Sequence, residues 1–474
     1  MITVIGGGLA GCEAAWQAAM LGVPVSLHEM RPTRSTAVHK TDRLAELVCS
    51  NSFRGDKLDN AVGLLKEELR RLGSLIVRAA EASRVPAGAA LAVDRQRFSE
   101  AVTQAMLSHP LIRIVRAEAT SLPDASVESP VIVATGPLTS DALSLEIAQL
   151  VGSEHLYFYD AISPIVLAET IDRGKVFRQS RWNRSVRGAA SVDPVSPTGD
   201  AEACGVDDGQ GDYLNCPFTR EAYDRFYDAL VNAESATVHD FDKERFFEGC
   251  LPIEVMAHRG VDTLRFGPMK PVGLTDPCTG RQPYAVVQLR QDNLAGDHFS
   301  LVGFQTQLKW GEQDRVLRLV PGLEKADFVR YGMVHRNTYV NGPTVLAETW
   351  QVRHRPALFL AGQMSGVEGY VESAASGLIA GLNAAALSRG QAPSVPPRTT
   401  AVGALAYYVS HADPAHYEPS NITFGIMEPL SAPERRAAKG RRERKLALSE
   451  RALASLDGWI QERQLVRASS VPCP

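Results

Sequence analysis

The sequence predicts an α/β protein in which a Rossmann-like domain is split by an inserted α+β domain. Three observations carry this prediction. A compact strand–helix–strand unit opens the chain at residues 2–29, and two buried strands near residues 131 and 358 are each followed by a glycine. Between these two strands, residues 155–325 alternate aromatic-rich strands with loops and one helix, a pattern unlike that of the flanking parts.

The composition is that of a globular protein and excludes several classes. The chain has 474 residues, of which 45% are hydrophobic and 22% charged. This length predicts two or three domains rather than one core. No apolar run reaches the roughly 18 residues that a membrane span needs, and the N-terminus enters a strand directly, so no signal peptide is expected. Because the formal net charge is −4, any nucleic-acid binding must use local basic patches.

The cysteines predict a reducing compartment. There are seven cysteines, an odd number at wide spacing, and no CxxC pair occurs. We therefore expect free thiols in the cytoplasm, and neither a disulfide framework nor a metal site.

The opening unit, ITVIGGGLAGCEAAWQAAMLGVPVSLHE, predicts a dinucleotide site. Gly6, Gly8 and Gly11 form G-x-G-x-x-G between an apolar strand and a helix. The first glycine permits the tight turn, the second lets the backbone approach a pyrophosphate, and the third lets helix and strand pack closely. The predicted cofactor-binding residues of this turn are Gly6, Gly7, Gly8, Leu9, Ala10 and Gly11.

An acidic residue at the end of the second strand narrows the choice of dinucleotide. Glu29 is placed to accept a hydrogen bond from a ribose hydroxyl. A carboxylate there disfavours a 2′-phosphate, so FAD or NAD fits and NADP does not.

Two later stretches favour FAD over NAD. SPVIVATGP (129–137) is a buried strand that ends at Thr135 and Gly136, as in two-dinucleotide flavoproteins. ALFLAGQMSG (357–366) is another apolar strand, followed by Gly362, Gln363, Gly366 and a helix of small residues, and its pattern is similar to a C-terminal flavin motif. No second G-x-G-x-x-G follows a strand, so NADH or NADPH must dock without a Rossmann domain of its own.

The remaining segments complete the domain prediction: 1–154 and 326–430 form the FAD-binding domain, 155–325 the inserted domain, and 431–474 a basic helical tail. Residues 184–211 are rich in Gly, Asp, Ser and Pro and predict a mobile loop. The tail predicts a Ser-capped helical stretch broken at Gly440. It carries seven Arg and Lys residues between Arg435 and Lys445, either as a solvated face or as a phosphate-binding patch for RNA.

Ordered stretches along nearly the whole chain resemble one family. They include HKTDRLAELVCSNSFR, VPAGAALAVDR, DYLNCPF, RFGPMKPVGL, VGFQTQLKWGEQ, YGMVHRNTY and AGQMSGVEGYVESAASGL. The chain resembles the folate- and FAD-dependent tRNA (uracil-5-)-methyltransferases. The resemblance implies formation of 5-methyluridine at the T-loop uridine of tRNA. It also implies 5,10-methylenetetrahydrofolate as carbon donor and FAD, reduced by NADH or NADPH, as methylene carrier and reductant.

C5 of uracil is a poor nucleophile and becomes enolate-like only after a thiolate adds to C6. The implied reaction therefore needs a cysteine thiolate. The family has one functional cysteine in the CSNSF stretch and one in YLNCP, which correspond here to Cys49 and Cys216. We expect Cys216 to be the nucleophile on C6 and Cys49 the flavin-side thiol. The alternative is that both simply pack, as free cysteines often do.

Further substrate and folate candidates are weaker. His335, Arg336 and Asn337 lie near the flavin segment and could bind folate or satisfy a turn. Arg290 could contact folate or phosphate, or form a surface ion pair. Glu368 and Tyr370 could face the pterin, or Tyr370 could pack.

A positive cluster of His39, Lys40 and Arg43 precedes Cys49. It could lower the thiol pKa and hold RNA phosphate, or form a solvated turn. The target uracil must be unstacked to reach a flavin, so we expect base extrusion. RNA contacts are expected from residues 34–57, from the arginines of 178–187 and from the tail.

Three alternatives stay open at this point. The same chemistry could act on ribosomal RNA, because the thiol and flavin motifs do not read the RNA. The chain could be a small-molecule NAD(P)H–flavin oxidoreductase, or an RNA-binding protein whose FAD is structural. The oligomeric state is not predicted.

Overall fold

A computed structural model describes residues 1–36, 38–151, 156–161, 163–183, 211–236, 251–332 and 334–463. Of residues 156–161, 183 and 334–338 it describes the backbone only. The expected loop at 184–211 lies outside the described residues except for Gly211.

The strands of the described residues are numbered in chain order. They are β1 Ile2–Ile5, β2 Val25–His28, β3 Ser52–Gly55, β4 Arg84–Val85, β5 Ala90–Val93, β6 Ile112–Val115, β7 Val131–Val133, β8 Leu156–Ala161, β9 Ile165–Leu167, β10 Phe177–Arg178, β11 Tyr213–Phe218, β12 Ala285–Gln291, β13 His298–Leu301, β14 Phe328–Arg330, β15 Val334–Tyr339, β16 Gln351–Val352 and β17 Arg355–Leu360.

The helices are numbered in the same way. They are α1 Leu9–Met20, α2 Ala61–Arg71, α3 Leu75–Ala82, α4 Arg95–Ser108, α5 Asp141–Val151, α6 Arg220–Val231, α7 Ile253–His258, α8 Thr263–Phe266, α9 Trp310–Leu317, α10 Gly342–Val345, α11 Tyr370–Ser388, α12 Ala401–His411, α13 Ala432–Ala437 and α14 Arg441–Glu462.

The first sheet is parallel except at one edge, with strand order β16-β17-β7-β1-β2-β6. The early unit β1-α1-β2 therefore shares a sheet with β17, from more than 300 residues later in the chain. Helices α1 and α11 pack against each other at very short range: a Cβ on Gly377 would lie 2.1 Å from the carbonyl oxygen of Ala10, and one on Gly381 would lie 2.3 Å from that of Ala14. The small residues of α11 thus bring the late segment onto the opening helix, which confirms the Rossmann-like fold predicted for this part.

The second sheet is antiparallel, with order β10-β11-β12-β13-β9-β14. It packs with α6, α7, α8 and α9 around a separate apolar core. The expectation of a single helix in this part was wrong, because the short amphipathic segments that form α7 and α9 lack a long helical period. Strand β14 also extends this sheet to Arg330, five residues beyond the expected limit at 325.

A two-stranded ribbon lies where the chain passes between the two sheets, and the tail packs on the first domain. Strands β8 and β15 pair in antiparallel fashion from Val334↔Ala161 to Tyr339↔Leu156. The tail forms two helices on either side of Gly440, as predicted, and Ser431 caps the first with a capping box. Helix α14 docks on α2, where Arg71 pairs with Asp457 at 2.6 Å. No helix among the described residues is long and apolar enough to cross a membrane.

Candidate active site

A cavity of about 420 Å³ lies where the two sheets meet. On the first sheet it is bordered by the carboxyl ends of β1 and β7 and by the residues that follow β17. On the second sheet it is bordered by Arg290 of β12 and by the end of β13. In the first sheet β1 lies between β2 and β7, so the strand order reverses at β1: β2 is added on one side of it and β7 on the other. Ligands of open parallel sheets bind at such a point.

The glycine turn after β1 opens onto this cavity. Gly6 has φ +108°, and a Cβ there would lie 2.4 Å from the carbonyl oxygen of Ala134, so only glycine fits. Gly8 has no heavy atom within 4 Å of where its Cβ would stand, so its backbone faces open space at the N-terminus of α1. Helix N-termini with exposed amides bind phosphates. Gly11 does not border the cavity: its Cβ would lie 1.8 Å from the carbonyl oxygen of Gly6, and it serves packing.

Glu29 borders the cavity and is held by its neighbours. Its carboxylate accepts hydrogen bonds from the amide of Gly7 at 3.0 Å and from Nε of Arg31 at 2.9 Å. Burial alone would raise the pKa of Glu29, but the hydrogen bonds and charge of Arg31 hold it below its ordinary value. A fixed, ionised acceptor beside the glycine turn suits a ribose hydroxyl, the role expected for this residue.

The later flavin-motif residues reach the same cavity from two directions. Thr135 and Gly136 line it after β7, and Gly362 and Gln363 line it after β17. Gly366 does not, because its Cβ would lie 1.9 Å from Oη of Tyr417. Its place in the motif reflects packing of the following loop.

Cys49 lies in the cavity wall, half-buried. Its amide donates to Oη of Tyr370 at 3.1 Å, and its carbonyl oxygen accepts from Nη2 of Arg330 at 3.2 Å and of Arg95 at 3.4 Å. The backbone of this thiol is therefore fixed by α11, β14 and α4 together. Sequence reasoning identified Cys49 and Tyr370 but missed Arg95 and Arg330, although AVDR, which ends at Arg95, is one of the stretches that resemble the family.

Arg290 borders the cavity and orients the residues that follow Cys49. Its Nε donates to Oδ1 of Asn51 and its Nη2 to Oγ of Ser50, both at 2.8 Å. Asn51 is fully buried, and its Nδ2 donates a hydrogen bond to the carbonyl oxygen of Gln291 at 3.1 Å. Burial lowers the pKa of Arg290, and Asp292 is a nearby negative charge that opposes this shift.

Arg95, one of the two arginines that donate to the carbonyl of Cys49, is paired with Asp292. The carboxylate of Asp292 lies 3.0 Å from Nε of Arg95, and although burial opposes it, this charge holds the pKa of Arg95 above its ordinary value. Burial and the proximity of Arg95 lower the pKa of Arg330 to about 10. Three guanidinium groups thus lie around Cys49 and Ser50, and Asp292 offsets the charge of one of them, Arg95, so the group keeps a net positive charge.

The cluster expected from His39, Lys40 and Arg43 does not supply these charges. His39 borders the cavity and its Nδ1 contacts Oγ1 of Thr36 at 2.6 Å. Arg43 instead pairs with Glu100 of α4 at 2.7 Å. The cations at the Cys49 backbone are Arg95 and Arg330, because the fold brings them there from distant parts of the chain.

The other folate candidates divide into two groups. Glu368 and Tyr370 border the cavity, and Glu368 accepts a hydrogen bond from Nε2 of Gln363 at 2.5 Å. His335, Arg336 and Asn337 lie on β15, where their backbones pair with residues 160, 159 and 158. Their side chains lie outside the described residues.

Cys216 is not in the cavity. It lies on β11 opposite Val287, is fully buried, and packs in the apolar core of the second sheet among residues such as Leu214 and Phe226. Burial raises the pKa of its thiol well above the ordinary range. In this conformation Cys216 is a protonated core group, so its expected role as nucleophile is not one that this geometry provides.

The chain is similar to known proteins along nearly its whole length. The family described as "Glucose inhibited division protein A" matches residues 1–392. A protein of Desulforudis audaxviator named methylenetetrahydrofolate–tRNA-(uracil-5-)-methyltransferase TrmFO is 56% identical over 462 residues, covering 98% of each chain. A protein of the same name from Symbiobacterium thermophilum is 56% identical over 461 residues, covering 97% of this chain and 96% of that one. The chain belongs to the TrmFO family.

The fold is also similar to that of a solved structure. Aquifex aeolicus GidA has a TM-score of 0.67 at 18% identity, with 98% of this TrmFO-family chain and 74% of that chain covered. This likeness supports the FAD-binding fold. Within the described ranges, no group of three or more His, Cys, Asp or Glu residues is arranged to hold a metal ion.

Proposed function

We propose that this chain methylates C5 of the T-loop uridine of tRNA, with 5,10-methylenetetrahydrofolate as carbon donor and NADH- or NADPH-reduced FAD as carrier and reductant. One observation carries the proposal: the dinucleotide turn, the later flavin-motif residues and the thiol of Cys49 border one cavity. Relatives that are 53–56% identical over nearly the full chain carry the name of this activity. The free thiols of the described cysteines suit the cytoplasm as its compartment.

The residues of the cavity fit FAD. The open space at Gly8 and the N-terminus of α1 would receive the pyrophosphate, and Glu29 would receive a ribose hydroxyl. Thr135, Gly136, Gly362 and Gln363 would border the rest of the cofactor. When bound, FAD supplies the electrons and the one-carbon transfer.

The chain's own residues supply position and charge. Tyr370, Arg95 and Arg330 fix the backbone on both sides of Cys49, so that its side chain keeps one place in the wall. Arg290 and Arg95 face the same space and favour negative charge that develops there, such as an enolate oxygen of uracil or a carboxylate of folate.

The division of roles between the thiols is a separate part of the proposal. A nucleophilic Cys216 requires that tRNA binding uncover β11, because its thiol is buried in the RNA-free protein. Cys49 needs no such movement. Cys49→Ser and Cys216→Ser should be incubated with tRNA, and the protein–RNA adduct mapped by mass spectrometry. An adduct at Cys216 that Cys49→Ser still forms would support the expected division, and an adduct at Cys49 would overturn it.

The experiment for the function uses an unmodified tRNA transcript, ribosomal RNA, and a tRNA with cytidine at the T-loop target. Each is incubated with the protein, FAD, NADPH and donor labelled in the methylene carbon. Labelled 5-methyluridine in the first tRNA alone is expected. Label only in ribosomal RNA would favour that substrate, and no label with rapid flavin turnover on small molecules would favour an oxidoreductase.

A further inference from the structure

Among the described residues, Phe266 and Trp182 are two of three aromatic side chains that are exposed on the second sheet's side of the molecule, and the third is Trp310 at the start of α9. The side chain of Phe266 is 79% exposed and that of Trp182 is 58% exposed. Single exposed apolar residues are common on globular proteins and need no explanation. Phe266 and Trp182 differ from Trp310 in two ways. The cations that accompany them have no described carboxylate partner, whereas Lys309 beside Trp310 pairs with Glu234. Pro268, near Phe266, also packs on the cavity wall. We call Arg181, Trp182, Phe266, Lys270 and Val272 the rim patch.

The rim patch lies beside the cavity. Pro268, two residues after Phe266, packs on Gly303, where a Cβ would lie 2.8 Å from the proline Cβ. Gly303 is part of the cavity wall. The turn that carries Phe266 and Lys270 therefore packs against the cavity wall on the side of the second sheet, although the rim-patch residues do not line the cavity themselves.

The ring of Trp182 is held in place by its backbone and by a glycine. Its amide donates to the carbonyl oxygen of Gly273 at 2.9 Å, and a Cβ on Gly273 would lie 2.8 Å from the indole ring. Trp182 has φ 53°, in the left-handed region that non-glycine residues rarely adopt. Trp182 is bulky and more than half exposed. Its contacts with Gly273 therefore hold it in a backbone conformation that is otherwise unfavourable.

The charge of the rim patch is positive. Arg181 donates to two neutral groups, the carbonyl oxygen of Val272 at 2.8 Å and Oε1 of Gln288 at 3.0 Å. Lys270 is exposed and forms no ion pair with the residues that the structure describes. The nearby acid Asp262 is already paired with Arg265 at 2.6 Å. The patch therefore presents two planar rings and two cations whose charge no described carboxylate offsets.

Planar rings together with cations are the means by which proteins bind single-stranded nucleic acid, through base stacking and phosphate contacts. A protein partner with an apolar surface would not require the cations. The residues expected to contact RNA included Arg181 but not Trp182, Phe266 or Lys270. The fold adds Phe266 and Lys270 from a distant part of the chain.

We propose that the rim patch is a stacking platform for unpaired bases of the tRNA loop that flank the extruded uridine, with Lys270 and Arg181 on the adjoining phosphates. This inference rests on the proposed function, since it assumes that the bound RNA is a loop presented to the cavity. It assigns the platform a role in binding the RNA and no role in binding FAD.

The test compares FAD-loaded variants at Phe266. Because Phe266 is exposed, its substitution should not disturb the apolar core. Phe266→Ala should raise the Kd for the tRNA transcript about ten-fold by loss of stacking. Phe266→Trp should keep wild-type affinity. Phe266→Leu, which retains apolar area but no planar face, should resemble the alanine variant. Leu107→Ala, at a residue 60% exposed near the far end of α4, is the matched control and should not change the Kd.

Lys270→Ala tests the electrostatic part. The slope of log Kd against log salt concentration should fall by about 0.7 for one lost contact to a single-strand phosphate. Tm, FAD content and the rate of flavin reduction by NADPH should match the wild type in every variant.

Two results would overturn the inference: a Kd for Phe266→Ala within about two-fold of wild type, or full affinity in Phe266→Leu, which would indicate plain apolar contact. Neither depends on whether the wild type methylates tRNA. Wild-type protein that binds tRNA through Phe266 but transfers no methyl group would instead count against the proposed function alone.

Discussion

The hydroxyl of Tyr370 accepts a hydrogen bond from the amide of Cys49 at 3.1 Å, across 321 residues of sequence. The same oxygen accepts from the amide of Ser50 at 3.0 Å. Tyr370 is the first residue of α11, and Cys49 lies just before β3, so one phenol joins the late flavin segment to the thiol. The position of Cys49 in the cavity therefore depends on the docking of α11 onto the first sheet.

Tyr370→Phe should weaken this connection while the ring keeps its packing against Phe53. Two partly buried amides lose their acceptor, which costs about 1–3 kcal/mol in the free energy of unfolding. We expect methyl transfer to fall as well, because Cys49 loses its fixed place. Denaturant unfolding and the label-transfer assay measure the two effects. Tyr408→Phe is the control, since its hydroxyl donates to the exposed carbonyl of Glu418 and does not contact Cys49 or Ser50. An equal loss of activity there would contradict this explanation.

Two glycines of the opening motif should respond in opposite ways to alanine. Gly8→Ala places a methyl group in open space, so the FAD-free protein should keep its Tm. That methyl group occupies the approach to the pyrophosphate, so the Kd for FAD should rise by about ten-fold or more. Gly11→Ala forces a methyl group within 1.8 Å of the carbonyl oxygen of Gly6 and should prevent folding. Thermal unfolding and FAD titration check both, and unchanged FAD affinity in Gly8→Ala would place the cofactor elsewhere.

Thiol labelling should separate the described cysteines. Cys278 is exposed and Cys49 lines the cavity, whereas Cys12 and Cys216 are fully buried. We expect iodoacetamide to label Cys278 and Cys49 in the FAD-free protein and to spare Cys12 and Cys216, whose thiol pKa values burial raises. FAD should slow labelling of Cys49 but not of Cys278. Peptide mapping by mass spectrometry reads all four sites, and rapid labelling of Cys216 without RNA would contradict its position in the core.

Glu68 should make the stability of the protein depend on pH. It is fully buried on α2, and its carboxyl oxygens accept from the amides of Ala401 and Val402 at the start of α12. Burial raises its pKa from 4.5 to about 8. The folded state thus keeps a proton that the unfolded chain has released, so the free energy of unfolding falls as pH rises from about 4.5 to about 8.

Glu68→Gln cannot titrate and should flatten this fall, because the amide oxygen still accepts from the helix N-terminus. Denaturant unfolding at about pH 5, 6, 7 and 8 would measure the fall in the free energy of unfolding. Glu67→Gln, at a partly exposed residue of the same helix that pairs with Arg70 and Arg71, is the control. Parallel pH curves for wild type and Glu68→Gln would show that Glu68 is ionised in the folded protein.

The sequence was sufficient for the parts of the site that are local. A strand, a glycine turn and an acid at the next strand's end lie within residues 2–29, and their geometry follows from backbone sterics and helix N-terminal amides. The later flavin segment was predictable because Gly362 and its small-residue helix carry their own pattern. The packing of helix on strand expected at Gly11 is present, whereas the contact of Gly366 with Tyr417 was not foreseen, because the later motif does not reveal which glycine approaches a side chain rather than a ligand.

The parts that depend on tertiary contacts were not predictable. Arg95 and Arg330 reach Cys49 only because α4 and β14 converge on the same loop, and the family-like stretch that ends at Arg95 does not reveal this contact. The burial of Cys216 was likewise invisible in YLNCP, since alternation along β11 places its side chain on the core face of the second sheet. Phe266 reads as an ordinary apolar residue in the sequence and is exposed by the turn that follows it.

The most direct test of the account is methyl transfer by protein freed of FAD and then reconstituted. The labelled donor, NADPH and tRNA transcript are supplied to FAD-free protein, to protein with FAD added, and to Cys49→Ala with FAD added. We expect no labelled 5-methyluridine without FAD, transfer to the T-loop uridine after FAD is added, and loss of transfer in Cys49→Ala with tRNA binding retained. Transfer without FAD, or full transfer by Cys49→Ala, would contradict the conclusion that one cavity unites cofactor and thiol.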